Sequence, residues 1–375
     1  MELAFDVSFT DYPQELGIDH AQTWAKRGLD NVFDSVLAAG VRRVHFRSHA
    51  AGPWWPTQIA GAAPCTVAQS LDPSFEQWNA VAAAVERAHA KGIKLVAWFD
   101  IAEGHCGHPT RWGLSHPECA IVNRSGVRAD GTTGDPLLSY AYPAVIEYRL
   151  ALIRELLAMG VDGLFLVVCH TPVGYEEPAR SSFAVRHGVD PLELPGDDPR
   201  WTAHQAGFVT DFFRKVCTLV AAERNRAGRP IETILEAHSI QPALYMPNGP
   251  DVEEPGWPNV PEWARMPATI DVETIARERL VDALCFWRMS EIDALSEAVR
   301  DNVRLATRFR MKFTKDQYDE RRAAAEDRGV DLFIVNEARW LLADNRWIYP
   351  GAPGPIYTLR QQTRKASGFG AGSTA

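Results

Sequence analysis

Polar and charged residues recur at the ends of apolar runs in this chain, at the alternate spacing that sends side chains to one side of a β-strand. In "VRRVHFRSHA" they are His45, Arg47 and His49, in "KLVAWFD" Trp98 and Asp100, and in "ILEAHS" Glu236 and His238. Arg288 follows "ALCFW", Arg308, Arg310 and Lys312 close "LATRFRMK", and Glu337 and Arg339 close "FIVNEARW". A lone charge at a strand end is often solvated or paired with its neighbour, and a lone histidine is usually only hydrogen-bonded. Many of them gathered at the same end of many strands point instead to a ligand site, because charges inside a packed fold cost free energy unless paired or used. The chemistry they suit is acid–base work by two carboxyls, one kept protonated to assist a leaving oxygen and one ionised to attack or to activate water. Glu236 beside His238, and Glu337 beside Arg339, are the best-placed pair, with Asp100 a third candidate.

Tryptophan supplies a second signal. Trp54 and Trp55 in "AGPWWPT", Trp98, Trp112, Trp287 and Trp340 fall at or just after strand ends. A flat apolar face with one polar handle suits a sugar ring, which shows C–H faces above and below a belt of hydroxyls. For Trp98 and Trp287 core packing is an equal alternative. The candidate binding residues are therefore Arg47, His49, Trp54, Trp55, Trp98, His105, His170, His238, Arg288, Arg310 and Trp340. The cations among the strand-end residues stand out in an acidic protein and suggest an anionic sugar, held by bidentate guanidinium contacts; pairing with Glu236, Glu337 or Asp100 is the competing use for them.

The elements that must position these residues follow a regular beat of apolar run, polar loop and helical stretch ending near glycine. Strands are predicted at "LAFDVSF", "VRRVHFRS", "IKLVAWFD", "VDGLFLVV", "IETILEAH", "VDALCFWRM", "VRLATRFRM" and "VDLFIVNEA". Helical segments between them include "FEQWNAVAAAVERAHAKG", "AVIEYRLALIRELLAMG" and "DQYDERRAAAEDRG". Eight such units predict an α/β fold, a single (β/α)8 TIM barrel over 1–365, with 366–375 a flexible tail. A doubly wound open sheet is the alternative, and no glycine-rich phosphate loop follows any strand to support it. Segments 101–140 and 171–200, rich in Pro, Gly and His with little periodicity, read as long loops after strands 3 and 4, on the face where barrel enzymes keep their sites.

The chain's 375 residues are 46% hydrophobic and 23% charged, enough to bury a large core. A net charge of −9 and a pI near 5.7 offer no footprint for a phosphate backbone, so nucleic acid is a poor partner. No run approaches the roughly 20 apolar residues of a membrane span, and the first residues lack a basic segment before an apolar one. The expected compartment is the cytoplasm, or a secreted or periplasmic one if a signal peptide has been removed. Six scattered cysteines without a CxxC pair read as mostly reduced, Cys217 and Cys285 as core fillers.

"GVRRVHFRSHAAGPWWPT", "AWFD", "SHPECAIVNRSGV" and "LSYAYPAVIEYRLALIRELLAMGVDGLFL" resemble the family-10-like glycosyl hydrolase proteins, relatives of the amylase-type barrels. The likeness covers the first half of the chain and continues only as the beat of elements. It implies a barrel acting on carbohydrate without a cofactor, a general acid at the end of strand 5, where Glu236 stands, and an aspartate nucleophile at the end of strand 4. "VDGLFLVV" puts Val167 at that last place, and Asp162 opens the strand at the opposite end. Three readings follow: a glycosidase using Glu236 as acid and Glu337 as second carboxylate, a glycan-binding pseudoenzyme lacking the strand-4 acid, and a metal-dependent sugar isomerase or hydrolase. The last draws on "EGHCGH", with His105, Cys106 and His108, although adjacent loop residues seldom all reach one ion. Sugar identity, linkage, stereochemical outcome and oligomeric state are open at this level.

Overall fold

The computed structural model of the chain describes residues 1–7, 29–38, 40–49, 52–64, 77–101, 110–128, 137–168, 172–237, 270–309 and 315–336. Its strands are β1 (Glu2–Val7), β2 (Arg43–His49), β3 (Lys94–Asp100), β4 (Gly163–Val167), β5 (Glu232–Glu236), β6 (Ala283–Phe286), β7 (Arg304–Phe309) and β8 (Leu332–Val335). All neighbours pair in parallel in sequence order, and β1 pairs with β8, which closes the barrel. Each predicted strand is present, and the (β/α)8 architecture is the one the beat of elements implies.

The helices are α1 (Leu29–Ala38), α2 (Ala80–Ala90), α3 (Arg111–Ser115), α4 (Pro143–Ala158), α5 (Glu177–His187), α6 (Pro199–Ala221), α7 (Val272–Arg277), α8 (Met289–Asp293), α9 (Glu297–Arg300) and α10 (Lys315–Asp327). α4 shows how local sequence sets position: Pro143 opens it, Val145, Leu152 and Leu156 form a buried stripe, and Gly160, at φ 85°, turns the chain towards β4. Segment 171–200 departs from the expected loop, since α5 lies within it and ends on left-handed Gly188. α5 buries only Ala179 and Phe183, so it carries too narrow an apolar face to show as periodicity.

Two apolar clusters follow from strand alternation. One lies between barrel and helices; the other fills the barrel with inward residues including Val96, Trp98, Phe165, Val167, Ile234 and Cys285. The N-terminal end of the barrel is tied by a repeated device, a Val-Asp pair just before each of β4, β6 and β8. Asp162 accepts the backbone N–H of Leu95 (2.9 Å), Asp282 that of Thr233 (2.7 Å) and Asp331 that of Leu305 (3.0 Å). β4, β6 and β8 are each thereby pinned to the odd strand before them, and Asp162 stands at the end opposite the strand C-termini. Glu232 closes the same end by receiving Arg43, Lys94 and Arg304. Burial pushes its carboxyl up, but Arg43 and Lys94 outweigh burial and hold it down at about 2. Among the described residues, no helix is long and apolar enough to cross a membrane.

Candidate active site

A chain of buried polar side chains runs up the barrel interior. Arg43 donates from Nη2 to Glu232 (2.8 Å) and from Nε to Nε2 of His45 (3.1 Å). Because a guanidinium only donates, Nε2 of His45 is the acceptor and the neutral ring carries its proton on Nδ1, which stands 3.1 Å from Asp6 Oδ1. Burial lowers the pKa of His45 and the contact with Asp6 only partly offsets it, so the ring is neutral. Asp6 Oδ2 accepts from Nε of Arg308 (2.6 Å), whose Nη1 donates to Glu236 and whose Nη2 donates to Asn336 (2.8 Å). Burial alone would lower the pKa of Arg308, but Asp6 and Glu236 reverse that and raise it. The guanidinium also lies over Trp98 (4.4 Å) and Trp287 (4.9 Å).

At the next level, Asp100 on β3 is in register with Val167 on β4, and Val167 with Glu236 on β5. The strand that lacks the expected acid is thus flanked by one carboxylate on each side. Trp98 donates from Nε1 to Asp100 (3.1 Å), and Arg47 approaches Asp100 (3.6 Å) with its guanidinium over the Trp98 ring (4.9 Å). Trp98 therefore carries both arginines and points its N–H at a carboxylate. Cys285, in register with Glu236, is buried, and burial first, then Glu236, pushes its thiol well up, consistent with a core filler.

Several expected site residues stand elsewhere. A β-bulge shifts the β2–β3 register, so that Arg47 pairs with Trp98 but His49 pairs with Phe99. Simple alternation would turn His49 inward with His45 and Arg47; the extra residue turns it to the helix side, where Arg149 of α4 donates to its Nε2 (3.2 Å). Trp54 and Trp55, expected to line subsites, are each 1% exposed and belong to the outer core cluster. Trp55 donates its indole N–H to Glu155 of α4 (2.6 Å), which also holds Thr57 (2.7 Å) and the backbone of Gln58 (2.8 Å). Trp112 is stacked between His116 (3.8 Å) and Tyr148 (4.4 Å). Arg288 lies past the end of β6 as the N-cap of α8, its backbone N–H donating to Glu291 (3.0 Å). Glu337, His105, His170, His238, Arg310 and Trp340 lie outside the described residues, as do Cys106, His108, Lys312 and Arg339. Among the described residues no group of three or more His, Cys, Asp or Glu is placed to hold a metal ion.

Three participants were not singled out from the sequence. Asp6 interrupts the apolar run of β1 at the inward parity of Ala4, and Asn336 has the inward parity of Ile334. Arg149 sits in the centre of the buried stripe Val145–Leu152–Leu156, where a charge signals a buried partner. Burial pulls its pKa down to about 9 against the opposing effect of Asp100.

No protein-family model matches this sequence, and no curated protein matches it. Solved structures do resemble it. The catalytic domain of β-amylase from Paenibacillus polymyxa has a TM-score of 0.59 at 12% identity, covering 98% of this chain and 98% of that one. α-L-Fucosidase isoenzyme 2 from Paenibacillus thiaminolyticus has a TM-score of 0.52 at 12% identity, covering 97% of this chain. The chain spans 48% of the length of that fucosidase. Likeness at such identity establishes the shared barrel fold and leaves activity to be argued from the site.

Proposed function

We propose that this barrel is a glycoside hydrolase acting on an oligo- or polysaccharide, with Glu236 as one of its two catalytic carboxyls. The observation that carries the reading is the ion pair of Glu236 with Arg308 at the C-terminal end of β5, beside Val167 and Asp100. The structural neighbours named as a fucosidase and a β-amylase favour carbohydrate as the ligand class. The resemblance of the first half to family-10-like glycosyl hydrolases points the same way.

The ion pair changes the role expected of Glu236. A guanidinium in contact favours the carboxylate over the acid, so Glu236 suits the ionised role of nucleophile or water-activating base rather than proton donor. The proton donor is then sought in Glu337, because Asp100, with Arg47 3.6 Å away and the Trp98 N–H donating to it, is subject to the same argument as Glu236. Asp100 and Glu236 are two strand spacings apart, about 10 Å between backbones, a separation that leaves room for water or a sugar bond between the carboxyls. Arg47 and Arg308 are engaged by Asp100, Asp6 and Glu236, so a preference for an anionic sugar rests on Arg288, Arg310, Lys312 and Arg339.

The test is hydrolysis of a panel of aryl glycosides and of matched neutral and anionic oligosaccharides, each with wild type and Glu236→Gln. Turnover that Glu236→Gln abolishes supports the reading, and salt-sensitive preference for the anionic members supports the anionic substrate. Saccharide binding without any turnover would instead favour the glycan-binding reading that Val167 motivates.

A further inference from the structure

Arg308 serves acceptors from three other parts of the barrel: Asp6 on β1, Glu236 on β5 and Asn336 just past β8. A guanidinium is a rigid planar fork, so the atoms bound at one edge decide where the other edge points. Nε of Arg308 is fixed by Asp6 and Nη2 by Asn336, which leaves Nη1 directed at Glu236. Asp6 is steadied in turn by His45, and His45 by Arg43. Asp6 is fully buried and in register with His45, and it contacts His45 and Arg308.

We propose that Asp6 is a positioning residue: by holding Nε of Arg308 it keeps the guanidinium against Glu236, and so keeps Glu236 in the ionised, working form. The inference rests on the reading of Glu236 as a catalytic carboxylate. Among the described residues, the titratable or charged groups facing this cluster are Arg43 and His45 from β2, Glu232 and Glu236 from β5, Cys285 from β6 and Arg308 from β7, while β3 and β4 contribute Trp98 and Phe165. His45 is neutral and the Cys285 thiol protonated, and Arg43 is paired with Glu232, so Asp6, Glu236 and Arg308 are the charges in direct contact here.

Two effects of removing Asp6 have opposite signs, which makes the proposal testable without a substrate. Loss of a nearby negative charge alone makes Glu236 easier to ionise and lowers its titration midpoint. Loss of the anchor lets Arg308 turn away and raises that midpoint. The experiment is a ¹³C NMR titration of the full chain labelled at glutamate carboxyl carbons, with the Glu236 signal assigned by its disappearance in Glu236→Gln. In Asp6→Ala the midpoint is expected to rise by about one pH unit or more, the size of effect that a contacting cation supplies. Asp6→Asn is the second variant: its uncharged amide oxygen holds Nε of Arg308 more weakly than a carboxylate does, so a smaller rise is expected. A midpoint that is unchanged or lower in whichever of these variants folds overturns the proposal. A rise accompanied by glycoside turnover that Glu236→Gln leaves intact keeps the positioning role and removes the catalytic reading of Glu236 instead.

Discussion

Arg308 Nε lies 2.6 Å from Asp6 Oδ2, joining β7 to β1 across β8 inside the barrel. Both side chains are buried, and the same guanidinium reaches Glu236. Such a group is weak evidence of stability when intact, because desolvation offsets much of the attraction, yet breaking it from one side leaves buried charge uncompensated.

Arg308→Met is therefore expected to cost about 4 kcal/mol at neutral pH, since it strands two carboxylates beside each other. Without the guanidinium two carboxylates share a buried site with no cation between them, which costs most where both are ionised. The gap between wild type and variant should widen from pH 5 to pH 8 in urea unfolding curves. A gap that stays constant across that range would show that Asp6 and Glu236 are not the groups left unpaired.

The neutral state of His45 predicts a pH dependence of the opposite kind. Its native pKa is lowered by burial from the ordinary 6.5, so the unfolded chain binds the extra proton first as pH falls. Stability attached to His45 is present above about 6.5 and is lost as pH drops through that value towards the lower native one. His204, also lowered by burial, adds to the same slope. His45→Gln should remove part of the acid-side loss between about pH 7 and pH 5 and leave the part that His204 contributes. Equal slopes for wild type and His45→Gln would mean that the ring takes up its proton over the same pH range in the folded and the unfolded chain.

The fold was legible because strand and helix spacing is local, and all eight strands announced themselves as apolar runs. The site was legible only in part. His45, Arg47, Trp98, Asp100 and Glu236 stand together as alternation predicts, since alternation holds along an unbroken strand. His49 departs because a bulge is a property of two strands and leaves no mark in one. Trp54 and Trp55 departed because exposure after a strand end depends on what packs above it, here Glu155 of α4, about a hundred residues along the chain. Asp6 was readable as a charge inside an apolar run, but its partner Arg308 is distant in sequence and becomes adjacent only when β1 and β8 close the barrel.

The placement of Trp55 separates a packing residue from a sugar platform. Trp55→Phe keeps most of the apolar area but removes the indole N–H that Glu155 receives, a bond to a charged acceptor worth roughly 1.5 to 3 kcal/mol. Unfolding free energy should fall by about that amount, while affinity for any saccharide the protein binds should stay within about twofold. A large loss of saccharide affinity with unchanged stability would return Trp55 to the binding surface.

Glu236→Gln tests the chemistry most directly. The amide keeps the shape of the side chain and can still accept from Nη1 of Arg308, so the fold should survive, with Asp6 and Asn336 holding the guanidinium as before. What it removes is the negative charge that would stabilise an oxocarbenium-like transition state or activate water, and turnover should fall by about a thousandfold or more while saccharide affinity changes little. Glu236→Ala opens space beside Arg308 that a small anion can enter. If Glu236 is the ionised partner, added azide should restore turnover in that variant, and the anomeric form of the glycosyl azide, read by proton NMR, reports which face of the sugar Glu236 addresses. Recovery by azide excludes the proton-donor role for substrates whose leaving group needs protonation. Glu236→Gln turnover within about tenfold of wild type would move the chemistry to another carboxyl and leave Glu236 as Arg308's structural partner.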